Sequence, residues 1–579
     1  MKRSERSGFI LNRKFSQFLL PTIFSNIAIS LNEFVDGILV SQLLGAEAMA
    51  LVNVASPVMF LFAFIYMFLG VGGSIVYSEF SGKQDTKQAR IAYSVSILTS
   101  LFISALIVIF GLVLLGPLSK ALCTEASALG EFTDYLRFLL ISGILIIPIQ
   151  IIIINMAALG CPRIGTIINI IANVVNLFMD YVYIHFLNMG LKGAALATFT
   201  GYLAGAIYLL IMVLMGRIKL PLALQKVKEF KRVPSIMVRG SASATNQIGY
   251  CIKIAFCNWY AARLAGMMGV TIFSLCMQVV SIASILISGA IDAMIPIAAS
   301  LYGQRDHNGL QLLMKRVLKV QLAMNILILA LFEAFPNIMI KIYNVSPDYS
   351  AAAILGLRIF SVMFVFRGFT LVFMSYFQVI SRKLYSVAIS LFDGVVGIIT
   401  FCLVFGGIFG LNGIWIAFPF NSLVLLCGIL LVNRMIVARS NGRYTGNLLI
   451  EAEPDDVFIY DITIRMNEPG AFDSVQEVQA FCQEHGMDEK RAVLISLSVE
   501  EMISYIMDNS PLKKDDHADI LLRIHGNEAL IYFRSIGQPF EPTSAPEGTF
   551  SNLDVLRKVA KDVDFSYVMG LNQTRVILN

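Results

Sequence analysis

Four residues in apolar stretches carry oxygen chemistry where a membrane segment normally excludes it. Asp36 stands in a stretch of about residues 15–40, Asn176 and Asp180 in one of about 164–187, and Thr198 in the next, about 191–215. Asn176 and Asp180 are four apart and share a helical face, as do Glu33 and Asp36, three apart. A charge at mid-bilayer costs on the order of 2.5–3.5 kcal/mol on insertion scales, so a carboxylate kept there is a functional candidate. Carboxylate, amide and hydroxyl oxygens together suit a hard cation such as sodium, and two carboxylates brought together can instead share a proton. The competing reading puts Asp36 or Asp180 at a span end, solvated. Further charges inside apolar stretches are Lys253, Asp292, Arg358, Arg367 and Asp393.

The elements that must position these residues come in two copies. Gly45, Gly82 and Asp85 recur as Gly266, Gly303 and Asp306, each 221 positions later. Gly190, Leu191, Gly193 and Ala197 recur 220 positions later as Gly410, Leu411, Gly413 and Ala417. The chain has 579 residues, 57% of them hydrophobic, which indicates a polytopic membrane protein. Twelve spans are expected, at about 15–40, 50–78, 91–116, 132–158, 164–187, 191–215, 236–262, 268–299, 317–336, 351–380, 385–408 and 412–437. The first reads as a retained span, not a removed signal peptide. Six crossings return the chain to its starting side, so the copies are parallel. Two parallel six-helix repeats are a transporter architecture with the substrate held between them. The copies differ in chemistry: Asp36 maps to Cys257, Asn176 to Val396, Asp180 to Thr400 and Thr198 to Phe418. Lys253 maps to Asn32, a position from which it could face Glu33 or Asp36 across a central cavity; snorkelling to an interface is the alternative.

Basic residues gather on alternate loops, for example Lys83, Lys87 and Arg90, then Arg305, Lys315 and Arg316. By the positive-inside rule both termini are cytoplasmic in a plasma-membrane protein. Eight cysteines lie singly without CxxC spacing, which indicates neither a disulfide framework nor a metal site. The expected division is 1–218 and 219–440 for the two lobes, 441–456 for a polar linker and 457–579 for a cytoplasmic α/β sandwich. In this tail, strands are expected at Val457–Arg465, Ala518–Ile524, Ala529–Arg534, Phe565–Met569 and Thr574–Leu578. Helices are expected at Phe472–His485, Asp488–Asn509 and Asn552–Lys561. The tail has no basic stripe, so nucleic acid is not an expected partner.

Pro21 followed by Asp36-Gly37, Ser56-Pro57, the Gly70–Gly82 run closing at Asp85, and the string Asn176…Asp180…Gly190–Thr198 resemble MATE (multidrug and toxic compound extrusion) transporters, and Tyr302-Gly303 with Asp306 is similar to the second-half equivalent. The resemblance covers about residues 10–440. It implies two six-helix lobes facing a central cavity, and export of organic cations and other drugs in exchange for sodium or protons, with no tightly bound cofactor. It carries a cation-coupling role onto Asp36, Asn176, Asp180 and Thr198, and a bending role for helix 1 onto Pro21. Glu33, Lys253, Arg358, Arg367 and Asp393 stand as candidate cavity residues. A major-facilitator transporter also has two parallel repeats, but Gly82 to Asp85 is one residue shorter than its loop pattern. A lipid-linked sugar flippase would use several cavity cations, for which Lys253, Arg358 and Arg367 stand. The tail resembles the anti-sigma-factor type of histidine-kinase ATPase, with Glu501 at the acidic position. Tyr505 stands where that pattern has the metal-binding asparagine, and Ser535 before Gly537 where it has the adenine-contacting aspartate. The lid shrinks to Gly548–Asn552. These departures predict a catalytically inactive domain that regulates the transporter through a cytoplasmic protein partner; the alternative is a membrane-anchored sensor whose tail sequesters or phosphorylates a partner.

Overall fold

In a bilayer, helices are the one way these long apolar stretches can satisfy their own backbone. The structure, a computed structural model, describes residues 6–123, 128–223, 225–342, 347–509, 517–526, 528–537 and 554–578. The Glu33 side chain, the run Pro539–Pro542 and the lid Gly548–Asn552 lie outside the described residues. Eleven helical runs are long and apolar enough to cross a membrane. They are α1 (Phe9–Leu44), α2 (Ser56–Gly82), α3 (Thr86–Val113), α4 (Leu129–Ala158), α5 (Pro162–Phe186) and α6 (Leu191–Leu214), followed by α7 (Lys228–Gly303), α8 (His307–Ala334), α9 (Pro347–Val379), α10 (Lys383–Phe409) and α11 (Leu411–Arg439). At 76 residues α7 is far longer than one crossing needs. It leaves helical geometry at Ala265 and Gly266, between the two spans expected there, and so has two arms.

The repeat is written into the backbone. Positive φ values recur in register at Gly45 and Gly266, Gln84 and Arg305, Gly160 and Ser381, and Gly190 and Gly410. Asp85 caps α3 by accepting from the Gln88 amide at 2.9 Å, and Asp306 caps α8 by accepting from the Gly309 amide at 2.7 Å. The copies also meet symmetrically. A Cβ on Gly82 would strike the Ser300 carbonyl oxygen, and one on Gly303 would strike that of Glu79. Gly240 against Phe68 and Gly72 against Ile236 make a second close approach. Backbones this near need small residues at the crossing. The Gly82 and Gly303 contacts lie at the end of the bundle that carries the Asp85 and Asp306 turns, and the second approach lies farther along α2.

Beyond α11 the stretch expected as a bare linker forms a short hairpin, β1 (Tyr444–Thr445) with β2 (Ile450–Glu451). It is held because Leu449 and Ile450 are buried and the Asn433 amide donates to the Asn447 carbonyl at 2.7 Å. The tail proper has β3 (Val457–Arg465), α12 (Glu468–Glu484), α13 (Glu489–Asn509), β4 (His517–His525) and β5 (Glu528–Ile536). It ends with α14 (Asp554–Val559), β6 (Ala560–Val568) and β7 (Leu571–Leu578). The five long strands form one antiparallel sheet in the order β3-β4-β5-β7-β6. One face, with Ile462, Ile520, Ile531 and Phe533, packs on Val478, Met502 and Ile503 of the helices. The helix expected through Lys561 stops at Val559. Val563 and Phe565 turn toward the core while Asp562 and Asp564 reach Arg575, the period-two alternation of a strand.

Candidate cation site and central cavity

In the first lobe α5 and α6 pack closely because Gly201 lacks a Cβ, which would collide with the Ala172 carbonyl and lie 2.9 Å from the Asn176 Cβ. This antiparallel fit carries Thr198, one turn before Gly201, toward the turn holding Asp180. From α1, Asp36 reaches the same point, so the Asp36 and Asp180 carboxyls are neighbours. Asp180 is fully buried, and neither of its oxygens receives an N–H or O–H from any described donor. Two carboxylates side by side in a buried place cannot both stay charged cheaply. Among the described residues the Asn176 amide nitrogen is likewise buried without an acceptor, and the Thr198 hydroxyl donates to Ala194 of its own helix, at 3.2 Å. Tyr135 of α4 is buried within electrostatic reach of both carboxyls, and nothing in the sequence distinguishes it from other aromatic residues in apolar spans. Immediately after Asp180, residues Val182–Phe186 widen into a π-helical turn, a distortion frequent at functional sites.

The second lobe gathers its charges differently. The Lys253 Nζ lies 3.0 Å from Asp393 Oδ2, and Arg367 Nη1 lies 3.6 Å from the same oxygen, all buried. This corrects both expectations for Lys253: it neither faces Asp36 nor snorkels to an interface, but is buried in its own lobe with Asp393 as its partner. Asp393 sits in a π-helical turn, Phe392–Val396, and Gly394 lets the first arm of α7 approach at Gly249. Arg358 stands half-exposed 3.8 Å from Glu333. Cys257, the copy of Asp36, rests 3.8 Å from Cys402, sulfur to sulfur.

A cavity of about 260 Å³ lies largely within the first lobe, lined by Asn26, Met59, Phe62, Tyr66 and Tyr202 among others, and Asp292, Ile295 and Pro296 of the second lobe close one side. Among the described residues Asp292 is the one charged residue on its wall, and the Asn26 amide lies 3.5 Å from it. Lys253, Arg358, Arg367 and Asp393 do not line it. Pro21 is not on this wall and lines a separate cavity with Leu20, Phe24 and Arg163, while its neighbour Thr22 lines this one. Proline has no N–H to give the carbonyl one turn earlier, so α1 is weakened there. The Thr166 hydroxyl of α5 donates to the Pro21 carbonyl at 2.7 Å.

In the tail, Glu501 of α13 accepts the Leu556 amide of α14 at 2.7 Å, so its carboxylate is engaged by the protein itself. Tyr505 is half-buried on the same helix. Ser535 is buried on the helix side of β5, its hydroxyl without a described partner, and the Gly537 carbonyl accepts from the Tyr567 hydroxyl at 3.2 Å.

The MatE family model matches residues 21–182 and again residues 243–403, together more than half of the chain. The multidrug export protein MepA of Staphylococcus saprophyticus is 21% identical over 369 residues, 63% of this chain and 80% of the relative. An FAD transporter of Shewanella oneidensis is 23% identical over 206 residues, 34% of this chain and 45% of the relative. Among solved structures, a MATE protein in complex with MaL6 superposes with a TM-score of 0.69 at 22% identity, over 74% of this chain and 96% of the other. An outward-facing multidrug resistance MATE transporter superposes with a TM-score of 0.68 at 21% identity and the same coverage. At such identity the superpositions speak for the fold, while the doubled family match, in the register of the internal repeat, speaks for descent. The chain belongs to the MatE family and is a multi-pass membrane transporter, not an enzyme.

Proposed function

We propose that the protein is an antiporter that exports small organic molecules, organic cations foremost, in exchange for sodium ions or protons. The observation that carries this is the neighbouring pair Asp36 and Asp180, with Asp180 fully buried and both its oxygens without a described donor, a place where two negative charges are costly unless a proton or cation joins them. Asn176 and Thr198 would complete the oxygen cage, and Pro21 is where α1 would bend as the cage fills and empties. The cavity supports the substrate class: one carboxylate among aromatic and methionine side chains suits a lipophilic cation. MepA is named as a multidrug export protein, in keeping with that wall. An anionic cargo such as FAD would meet Asp292 with like charge, and the flippase reading loses its cavity cations. Counting the two arms of α7 separately gives twelve crossings. The basic loops then place the tail in the cytoplasm. The close contacts between lobes on that side correspond to a state open outward.

The tail, in this reading, is a regulatory domain on an ATPase-like scaffold whose nucleotide chemistry is gone. Glu501 already holds the Leu556 amide, and Tyr505 and Ser535 supply neither metal ligand nor adenine contact. Reconstituted protein should move a fluorescent organic cation when a sodium or a proton gradient is imposed alone, and Asp36→Asn and Asp180→Asn should each stop it. Wild-type export rates in both variants would overturn the coupling site.

A further inference from the structure

The face of the tail sheet turned away from α12 and α13 is polar, yet it is not in water. Asp519, Arg534 and Gln573 are each at most 2% exposed because this face sits on the ends of both lobes. One residue touches the two lobes at once. The Gln573 backbone carbonyl accepts from the Gln84 side chain at 3.4 Å, and its side-chain oxygen accepts from Gln304 at 2.7 Å. Gln84 belongs to the turn between α2 and α3, and Gln304 to the matching turn between α7 and α8. Both adjoin the Gly82 and Gly303 crossing where the lobes meet.

A second bridge lies beside it. Arg6, leading into α1, pairs with Asp306 of the second lobe at 2.6 Å and with Asp519 and Asp461 of the tail at 3.1 and 3.5 Å. Arg534 of the tail reaches Asp306 at 2.6 Å. The sheet is further pinned to the second lobe where Arg523 donates to the Arg305 carbonyl at 3.0 Å. It is pinned to the first lobe where Arg575 donates to the Lys83 carbonyl at 3.3 Å. A Cβ on Gly160 would come within 2.7 Å of the Met569 Cα, so the fit there is backbone to backbone.

We propose that the tail is an intramolecular clamp that binds only the state closed on its own side and thereby restrains transport. This rests on the transporter reading, since exchange requires the lobes to part at this end. Gln84 and Gln304 then separate, and a single strand cannot keep both. A ligand that binds one of two states shifts the equilibrium toward that state by its differential affinity. Tethered through residues 441–456, the tail does so at high effective concentration. Each cycle must therefore release one lobe from the sheet, and anything that loosens the sheet speeds opening.

The test uses full-length protein in liposomes carrying Ser300→Cys, a reporter in the seam against Gly82, with exposed Cys427→Ser to lower the background. Maleimide labelling of residue 300 reads opening on the tail side without any substrate. Gln573→Ala and Arg523→Ala loosen the sheet, and Arg534→Ala cuts the buried network. Each should label at least about fivefold faster than the parent, with export faster as well. The milder Gln573→Ala keeps the test valid if Arg534→Ala misfolds. Unchanged or slower labelling in Gln573→Ala and Arg523→Ala overturns the clamp. Faster labelling with slower export overturns its inhibitory sense. Absence of gradient-driven export in every protein, parent included, would instead remove the antiporter reading.

Discussion

In the first lobe Asp36 of α1 meets Asp180 of α5. In the second, the equivalent positions are Cys257 and Thr400, and the corresponding helices touch through Cys257 and Cys402. The turns, caps and positive-φ residues around these two places are copies of each other. Only the buried chemistry differs. Two thiols in contact are content in a low-dielectric interior, whereas two carboxylates are not. The second lobe does hold buried charge, but there a single carboxylate, Asp393, faces two cations, Lys253 and Arg367, so it calls for no further cation. Duplication thus explains the scaffold, and the asymmetry says which half is proposed to do the coupling.

The sharpest way to break this comparison is to exchange the demand for a cation between lobes. Asp180→Asn keeps the volume and removes the charge, and should cut gradient-driven export to background while the protein remains inserted. Cys257→Ala with Cys402→Ala should keep export within about twofold of wild type, since buried thiols behave as small hydrophobes. Counterflow measured with each imposed gradient decides it. Equal losses in the two lobes would mean that the second lobe also couples.

Stability should show the reverse pattern. Asp393→Asn leaves Lys253 and Arg367 buried as like charges, and removing one partner of a buried pair costs about 3–5 kcal/mol. Lys253→Met leaves Asp393 with Arg367 and should cost less. The double variant Lys253→Met/Asp393→Asn should recover part of the loss. Thermal unfolding in detergent ranks the three. A Tm for Asp393→Asn at or above that of Lys253→Met would show that the triad is solvated and not a structural ion cluster.

Which parts of this were legible follows from what each residue must do. A carboxylate in an apolar span declares itself, so Asp36 and Asp180 stand out from the sequence. Gly45, Gly190 and their copies mark turns because φ is positive there. Tyr135 carries no such mark. The partner of Lys253 was hidden because the π-helical turn at Phe392–Val396 changes which residues of α10 face inward, and a 3.6-residue period does not anticipate it. The clamp was hidden for a different reason. Alternation in β4, β5 and β7 correctly separates two faces, but a polar face is ordinarily read as wet. Asp519, Arg534 and Gln573 are buried by a partner some hundreds of residues away in sequence.

The caps on the tail side offer a third contrast. Asp85 and Asp306 do the same local work, but only Asp306 also holds Arg6 and Arg534. Asparagine is nearly as good an N-cap as aspartate. Asp85→Asn should therefore be close to silent. Asp306→Asn should loosen the tail, seen as faster proteolysis within residues 441–456. Equal proteolysis in both would reduce the network at Asp306 to mere capping.

The smallest effect concerns Asp461, on the tail side of the same network. Two guanidiniums, Arg6 and Arg534, face three carboxylates, Asp306, Asp461 and Asp519, so one acid is poorly served. Burial, reinforced by Asp306, outweighs Arg6, the Asn308 hydrogen bond and Arg534, and lifts the Asp461 carboxyl to about 6. Since that value is raised on docking, the docked form holds the proton more tightly. Docking is weakest above pH 6 and strengthens as pH falls from there toward the ordinary carboxylate range. Asp461→Asn removes this titration and keeps an oxygen for the Asn308 amide, which now donates to Asp461 at 2.8 Å. At pH 7.5 the variant should label at Ser300→Cys more slowly than the parent, by a fewfold, and the two should converge toward pH 5. His307, pushed below its usual value chiefly by burial, titrates in both proteins and drops out of the difference. If Asp461→Asn labels faster than the parent at pH 7.5, its carboxylate is a net contributor to docking, and the two guanidiniums serve all three acids.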